Sequence, residues 1–141
     1  MTMSALHCNA VLLVISKWQE MHTIQRLLET RRIEDQEKKE AVLELVSDKY
    51  CRAILKTTMV KPKSAMEIAT ETKIPISTVY RRLQDLHDNK LLRISGQISD
   101  DGKKLFLYQS KVRAISSTFD GNQIEIEIVP NFTKEVGHNT F

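Results

Sequence analysis

The sequence is poor in the residues that build metal sites and disulfide frameworks. Its 141 residues include two cysteines, Cys8 and Cys51, which stand far apart and form no CxxC pair. The four histidines are also scattered, so no zinc-ligand spacing is present. We therefore expect no metal and no cofactor. We expect the cysteines to be single buried thiols in a reducing compartment, the cytoplasm.

Glycine is also scarce, with four residues at positions 96, 102, 121 and 137. None of them forms a GxGxxG or GxxxxGK[ST] loop, the backbone arrangements that bind nucleotide phosphates. No nucleophile elbow is present either. The neighbouring carboxylates Asp100 and Asp101 are explained as turn formers rather than as a catalytic pair. The sequence thus predicts a protein that is not an enzyme.

Long hydrophobic runs are missing. The apolar run from Ala10 to Ile15 is too short to span a membrane. It lacks the basic region and the A-x-A site of a signal peptide. We expect no membrane partner. The structure of residues 1–21 is left open between a packed strand, a helical turn and a leader from an upstream start codon, with Met21 as the native start.

Charge is distributed unevenly along the chain. Residues 49–113 carry 14 Lys/Arg and 6 Asp/Glu, a net of +8. The remaining residues carry 7 and 12, a net of −5, which gives the +3 of the whole chain. A basic centre between acidic flanks suggests a polyanionic partner for the centre. A solvated surface of mixed charge explains the same distribution equally well.

Apolar periodicity predicts three helices before the central one. Residues 22–46 form an N-terminal helical segment and a possible dimer contact, interrupted by the charged stretch EDQEKKE, which is solvent-facing or a helix break. Ser47 is a candidate N-cap for the next helix, with Asp48 in its first turn. A third, short helix begins at Ser64, with Glu67 in the capping-box position. The expected apolar faces of these last two helices are Tyr50, Ile54 and Leu55, and Ala65, Ile68 and Ala69.

The central predicted helix spans residues 76–88 and begins after Pro75, a residue that suits a helix start. At about 100° per residue, Val79, Leu83 and Leu86 share one face, which we expect to be buried. The opposite face is polar and positive, where an ordinary surface helix would carry Glu/Lys pairs. This polar face consists of Ser77, Thr78, Tyr80, Arg81 and Gln84.

Two short helices followed by a hairpin favour DNA binding. The helix pair reads as a helix-turn-helix whose second member enters the major groove, with a helix pair that merely packs as the alternative. Residues 91–98 and 105–110 are predicted strands around an Asp101-Gly102 turn. Its basic tip would lie beside the DNA backbone or the minor groove. Besides the polar face, the candidate DNA-binding residues are Lys63, Arg82, Lys103 and Lys104.

The stretches LVSDKYCRAIL, SAMEIATETKIPISTVYRRLQDLHDNKLL and the hairpin after them resemble winged helix-turn-helix transcriptional regulators of the broad ArsR-like group. The archaeal members are the most similar. The resemblance implies an α+β fold with a three-helix core and a β-hairpin wing over residues 47–110. It also implies sequence-specific binding of double-stranded DNA by a homodimer. Metal-sensing members carry paired cysteines, whereas Cys51 stands alone, so metal sensing is not expected.

The rest of the chain predicts an extra hairpin and a tail. In residues 111–130, Ile124, Ile126 and Ile128 alternate with glutamates, and Ile115 and Phe119 share a face of the preceding strand. This hairpin would extend the wing sheet or pair with a second subunit. Residues 131–141 are expected to be a flexible tail.

Two other functions stay open from the sequence. One is a winged helix that serves as a protein-interaction module of the transcription machinery. The other is a nucleic-acid binder that reads shape. No small-molecule effector is evident from the residues.

Overall fold

The computed structural model describes residues 13–14, 16–17 and 30–131. The chain divides into two compact units, residues 1–30 and 31–141. In the first unit, the described residues 13–14 and 16–17 are helical, and the Ser16 hydroxyl donates to the Leu13 carbonyl at 3.0 Å. The helical alternative is therefore correct at these positions. The remainder of the predicted leader lies outside the described residues, as do Cys8 and residues 22–29.

The second unit is α+β, with helices and small antiparallel sheets. Along the chain its elements are β1 (Arg31–Arg32), α1 (Gln36–Ser47), α2 (Lys49–Thr57), α3 (Ala65–Thr72), α4 (Ile76–Asp88), β2 (Leu92–Ile98), β3 (Lys104–Ser110), β4 (Val112–Phe119) and β5 (Ile124–Pro130). Among the described residues, no helix is long and apolar enough to cross a membrane.

The predicted N-terminal helix over residues 22–46 is wrong at its described beginning. Arg31 and Arg32 form a strand paired antiparallel with β5. Arg32 lies 3.3 Å from a Glu125 carboxylate oxygen and 3.5 Å from one of Glu127, on that strand. Helix α1 begins only after Asp35, whose side chain accepts the Glu37 N–H at 3.0 Å. The charged stretch EDQEKKE therefore leads into the helix and does not break it, and six of its seven residues are exposed, as the solvent-facing alternative predicted.

The predicted cap of α2 is also wrong by one residue. Ser47 is the last residue of α1, and its hydroxyl donates to the Glu44 carbonyl at 2.6 Å. Asp48 has extended backbone angles between the two helices and accepts the Tyr50 N–H at 3.2 Å. Both Ser and Asp are good N-caps. Because α1 extends through Ser47, Asp48 is the residue that caps α2.

Helix α3 begins as the sequence predicts. Ser64 and Glu67 make the two reciprocal hydrogen bonds of a capping box. The helix ends at Lys73, which has a left-handed backbone with φ 57°. Ile74, which is buried, and Pro75 complete a three-residue connection to α4.

Helix α4 also ends on a left-handed lysine, Lys90, with φ 61°. The Leu91 N–H donates to the Leu86 carbonyl at 2.9 Å, and the Lys90 N–H donates to the His87 carbonyl at 3.0 Å. These two bonds form a Schellman motif, which normally has glycine at the left-handed position. Leu91 is buried directly after the motif. This anchor fixes the direction in which the chain leaves α4 for β2.

The core confirms the predicted apolar stripe of the central helix. Val79, Leu83 and Leu86 are at most 1% exposed. They pack with buried side chains from every element around them, including Cys51, Ile54, Ile68, Leu91 and Leu92. Cys51, the only described cysteine, is a buried single thiol, as predicted.

The strands form two hairpins in separate sheets. The first hairpin, β2–β3, turns through Gly102, whose φ of 77° suits glycine. The second hairpin, β4–β5, lies in a three-stranded sheet of order β1-β5-β4. One of the two predicted alternatives was that the second hairpin extends the sheet of the first. That alternative is wrong, because the two hairpins lie in separate sheets.

The predicted tail does not begin at Asn131. The Asn131 side-chain amide donates to the Met59 carbonyl at 2.7 Å and to the Ser110 carbonyl at 3.0 Å. Its backbone N–H donates to the Lys111 carbonyl at 2.8 Å. Asn131 thus ties the end of β5 to the loop after α2. Residues 132–141 lie outside the described part of the chain.

Replacing Leu83 by alanine tests the core. Because the side chain is 1% exposed, we expect Leu83→Ala to lower the free energy of unfolding by about 2–5 kcal/mol. Urea denaturation followed by circular dichroism measures the change. Gln84→Ala, one residue along and exposed, is the control and should stay within about 0.5 kcal/mol of wild type. Equal stability of the two variants would contradict the assigned face.

Candidate nucleic-acid interface

The buried stripe of α4 fixes the direction of its polar face. Because Val79, Leu83 and Leu86 face the core, the residues on the other side of the helix face solvent. Four of the five predicted residues are exposed and Thr78 is half-buried. The exposed residues of this face are Ser77, Tyr80, Arg81 and Gln84.

Arg81 stands at the centre of the polar face. Within residues 30–131, no ion pair and no side-chain hydrogen bond involves Arg81. Gln84 is different, since its side-chain amide donates to the Asp88 carboxylate at 2.8 Å. The guanidinium of Arg81 is therefore available to a partner. Gln84 would have to give up its hydrogen bond to Asp88 before its amide could donate to a partner.

The N-terminus of α4 differs from those of the other described helices. Side chains of Asp35, Asp48 and Ser64 cap α1, α2 and α3. Helix α4 has Pro75 at this position, no side-chain cap and no acidic residue in its first turn. Its first N–H groups and the positive end of its dipole thus stay open to an anion beside Ser77.

Arg82 is half-buried against α2 and does not lie on the polar face. Its side chain is 26% exposed, and Nε lies 2.7 Å from an Asp48 carboxylate oxygen. The N–H does not point at that oxygen, so the contact is an ion pair without a hydrogen bond. Asp85 lies 3.8 Å from the guanidinium on the same helix. Arg82, predicted to bind DNA, therefore links α4 to the start of α2.

Lys63 also has partners within the protein. Its ammonium group lies 2.5 Å from a Glu71 carboxylate oxygen and 3.0 Å from the Thr57 hydroxyl. Hydrogen bonds from Lys63 and Thr57 lower the pKa of Glu71. The backbone of Lys63 pairs with Tyr108 of β3, with N···O distances of 3.0 and 2.8 Å. This lysine, another predicted DNA-binding residue, thus holds α2, α3 and β3 together.

The tip of the first hairpin carries Lys103 and Lys104, as predicted. Both are exposed, and the backbone of the turn is closed by hydrogen bonds between Ser99 and Lys103. The Lys104 ammonium lies 5.3 Å from the ring centroid of Phe106, a cation–π distance. Lys103 extends into solvent without an ion pair among the described residues. The two lysines are therefore not equivalent, and Lys103 is the less constrained.

The base of the first hairpin lies close to the polar face. Burial raises the pKa of Tyr108 in β3, and the nearby Tyr80 hydroxyl of α4 raises it further. Tyr80 itself is 53% exposed, and α4 contacts β2 of the same hairpin.

Arg93 is a basic residue of this region that the sequence prediction did not include. It is exposed on β2, on the face opposite buried Leu92, and no ion pair is formed by it within residues 30–131. Apolar Leu92 and Ile94 alternate with polar Arg93 and Ser95 in the sequence, and this alternation of residue types is the signal that could have identified it.

Cys51 offers no reactive or metal-binding thiol. Burial, with a hydrogen bond to the Asp48 carboxylate at 3.4 Å, raises the pKa of Cys51 to about 12. A thiol with this pKa stays protonated at neutral pH, whereas a metal ligand or nucleophile must be a thiolate. Within the described ranges, no cluster of three His, Cys, Asp or Glu residues could hold a metal ion.

The neighbouring arginines of α4 provide a matched test. We expect Arg82→Ala to destabilise the protein by roughly 1–3 kcal/mol, because it leaves Asp48 without its partner and the pair is only partly screened by water. Arg81→Ala should stay within about 0.5 kcal/mol of wild type. Thermal and urea unfolding measure both. A destabilised Arg81→Ala beside an unchanged Arg82→Ala would reverse the assignment.

Comparison with known proteins identifies no family for the chain: no protein-family model matches it, and no curated protein matches it.

Proposed function

We propose that the protein is a sequence-specific DNA-binding transcriptional regulator with a winged helix-turn-helix domain. Helices α3 and α4 form the helix-turn-helix, and the first hairpin is the wing. One observation carries the proposal: a helix with a fully buried apolar stripe presents Arg81, which has no partner within residues 30–131, among exposed hydrogen-bonding side chains. This arrangement suits insertion of α4 into the major groove.

The side chains of the polar face match the chemistry of base edges. Arginine binds guanine O6 and N7 with two donors, and glutamine binds adenine in the same way. Serine and threonine hydroxyls contact bases or phosphates. The uncapped N-terminus of α4 supplies N–H groups to a phosphate beside the groove.

The proposed wing adds contacts that carry no sequence information. Lys103 and Lys104 lie at its tip, and Arg93 is exposed on β2. Cations at these positions suit the phosphate backbone on either side of the groove. The net charge of +8 over residues 49–113 supports the same partner.

The proposal also covers the partner, the oligomeric state and the location expected from the sequence. The regulator binds double-stranded DNA in the cytoplasm as a homodimer, without catalysis, cofactor, membrane or small-molecule effector. The resemblance to archaeal ArsR-like regulators is part of this proposal and rests on the sequence stretches alone.

One observation favours a second function, in which the wing binds a protein of the transcription machinery. Apolar side chains are exposed near its tip: Ile98 is 74% exposed, Phe106 48% and Leu105 40%. A protein partner would cover these residues. The salt dependence of duplex binding separates the two functions, since phosphate contacts weaken steeply with salt and a protein-only module has no DNA affinity to weaken.

Arg81→Ala tests the polar face. We expect the variant to lose about 1–3 kcal/mol of affinity for a duplex selected from a random pool, because a base contact is removed while the fold is kept. Fluorescence anisotropy measures the affinity, with random duplex in parallel. The loss should be larger for the selected duplex than for the random one. Unchanged binding of the selected duplex would show that another surface reads the sequence.

The double variant Lys103→Ala/Lys104→Ala tests the wing. Stability should stay within about 0.5 kcal/mol of wild type. Affinity for selected and random duplex should fall alike, and the slope of log K against log salt should become shallower by about 0.9 for each lysine that contacts a phosphate. Lys38→Ala/Lys39→Ala removes the same charge from α1 and is the control. If both double variants behave alike, net charge and not the wing explains the effect.

A further inference from the structure

Strand β4 has a free edge that lacks the usual protection. Within residues 30–131, β4 pairs with β5 on one side and with no strand on the other. Natural edge strands usually carry lysines, prolines or bulges that prevent pairing with another chain. The irregularity in β4 is confined to its first residues, between Val112 and Ala114. The stretch AISSTF after it, residues 114–119, has no charge and no proline.

The hydrogen-bonding pattern shows which residues face this edge. The Ile33 N–H donates to the Ile126 carbonyl at 3.0 Å, so Ile126 directs its polar backbone groups away from β4. Ser117 is opposite Ile126 and therefore directs its own N–H and C=O to the free edge. Alternation along the strand gives Ile115 and Phe119 the same direction.

The side chains of these residues are self-complementary. Ile115, Ser117 and Phe119 lie on the same face of the sheet as Ile126, which is fully buried. Ile115 packs against the core, whereas Phe119 is 69% exposed at the other end of the strand. An antiparallel second copy centred on Ser117 places each Phe119 opposite the other copy's Ile115. Aromatic and β-branched side chains are favourable cross-strand partners.

We propose that β4 pairs antiparallel with β4 of a second copy of this chain, about a two-fold axis at Ser117. The two three-stranded sheets then form one six-stranded sheet. In this register Arg113, the only charged residue of β4, lies opposite Gly121 of the other copy and so meets no like charge. If the pairing register shifts by two residues in either direction, Phe119 lies opposite Arg113 or Ser117. These neighbouring registers therefore lose the apolar pair of Phe119 and Ile115.

This interface goes beyond DNA binding and does not depend on it. A single strand pair buries less surface than a standard interface, so the dimer is weak and depends on protein concentration. Both tests below omit DNA, so their failure would count against the proposed homodimer but not against the DNA contacts of α4 and the first hairpin. A dimer that binds no duplex would overturn only the proposed function.

Disulfide trapping tests the register. Ser116 and Thr118 are exposed and would form a non-hydrogen-bonded pair across the axis, with Cα atoms about 4.5 Å apart, close enough for a disulfide. Ser116→Cys and Thr118→Cys are made separately in a Cys8→Ser background and oxidised alone and mixed. We expect the mixture to form cross-linked dimers with one copy of each variant, identified by mass spectrometry. The proposal is overturned if either variant forms cross-linked dimers on its own, or if no sample forms them.

Sedimentation tests the apolar pair. Wild type should show a reversible monomer–dimer equilibrium, and Phe119→Ser should raise its dissociation constant roughly tenfold or more, since both Phe119 contacts are lost. Phe106→Ser, which removes an exposed phenylalanine of the first hairpin, is the control and should leave the equilibrium unchanged. Circular dichroism verifies that both variants are folded. A monomeric wild type, or a dimer weakened only by Phe106→Ser, contradicts the inference.

Discussion

Burial of one face of α4 is the constraint on which the rest of the second unit depends. Val79, Leu83 and Leu86 contribute no exposed surface of note, and each buried side chain of this size contributes about 1.5–3 kcal/mol. Buried side chains of α2, α3 and β2 belong to the same core cluster as this stripe. Because a helix has fixed periodicity, burying these residues also determines that Arg81 faces solvent.

The two arginines of α4 show how the same constraint gives neighbouring residues different surroundings. Arg81 and Arg82 are neighbours in sequence, yet one has no partner among the described residues and the other pairs with Asp48 at 2.7 Å. Asp48 also caps α2 and accepts a hydrogen bond from Cys51. The ion pair thus holds α4 against α2, and the polar face keeps one orientation for a partner. An interface built on rigid elements loses little entropy on binding.

Local signals predicted much of this structure from the sequence. The apolar stripe of α4, the capping box at Ser64 and the Asp101-Gly102 turn depend on residues close together in the chain, and all are observed. Contacts between distant residues could not be predicted. The pairing of Arg82 with Asp48 spans α2 and α3 and depends on how these helices pack.

The features that the sequence analysis missed also depend on contacts between residues distant in the chain. Strand β1 has two residues, too few for any periodicity, and exists because β5 is beside it. In the sequence Asn131 is indistinguishable from the start of a polar tail. In the structure its side-chain amide donates to the carbonyl groups of Met59 and Ser110, which are distant in the chain. For the candidate interface, the sequence located the polar face of α4 but also offered Arg82 and Lys63 as DNA-binding residues, since paired and free cations look alike in a sequence.

Mapping the proposed DNA contact residue by residue tests the central claim most directly. Backbone amide signals of the isotope-labelled protein are followed by NMR while a selected duplex is added. The account predicts that the largest shifts cluster in residues 76–84 of α4 and at the tip of the first hairpin, residues 99–104, while β4 and β5 change little. Shifts confined to the second hairpin, or none at low salt, would contradict it.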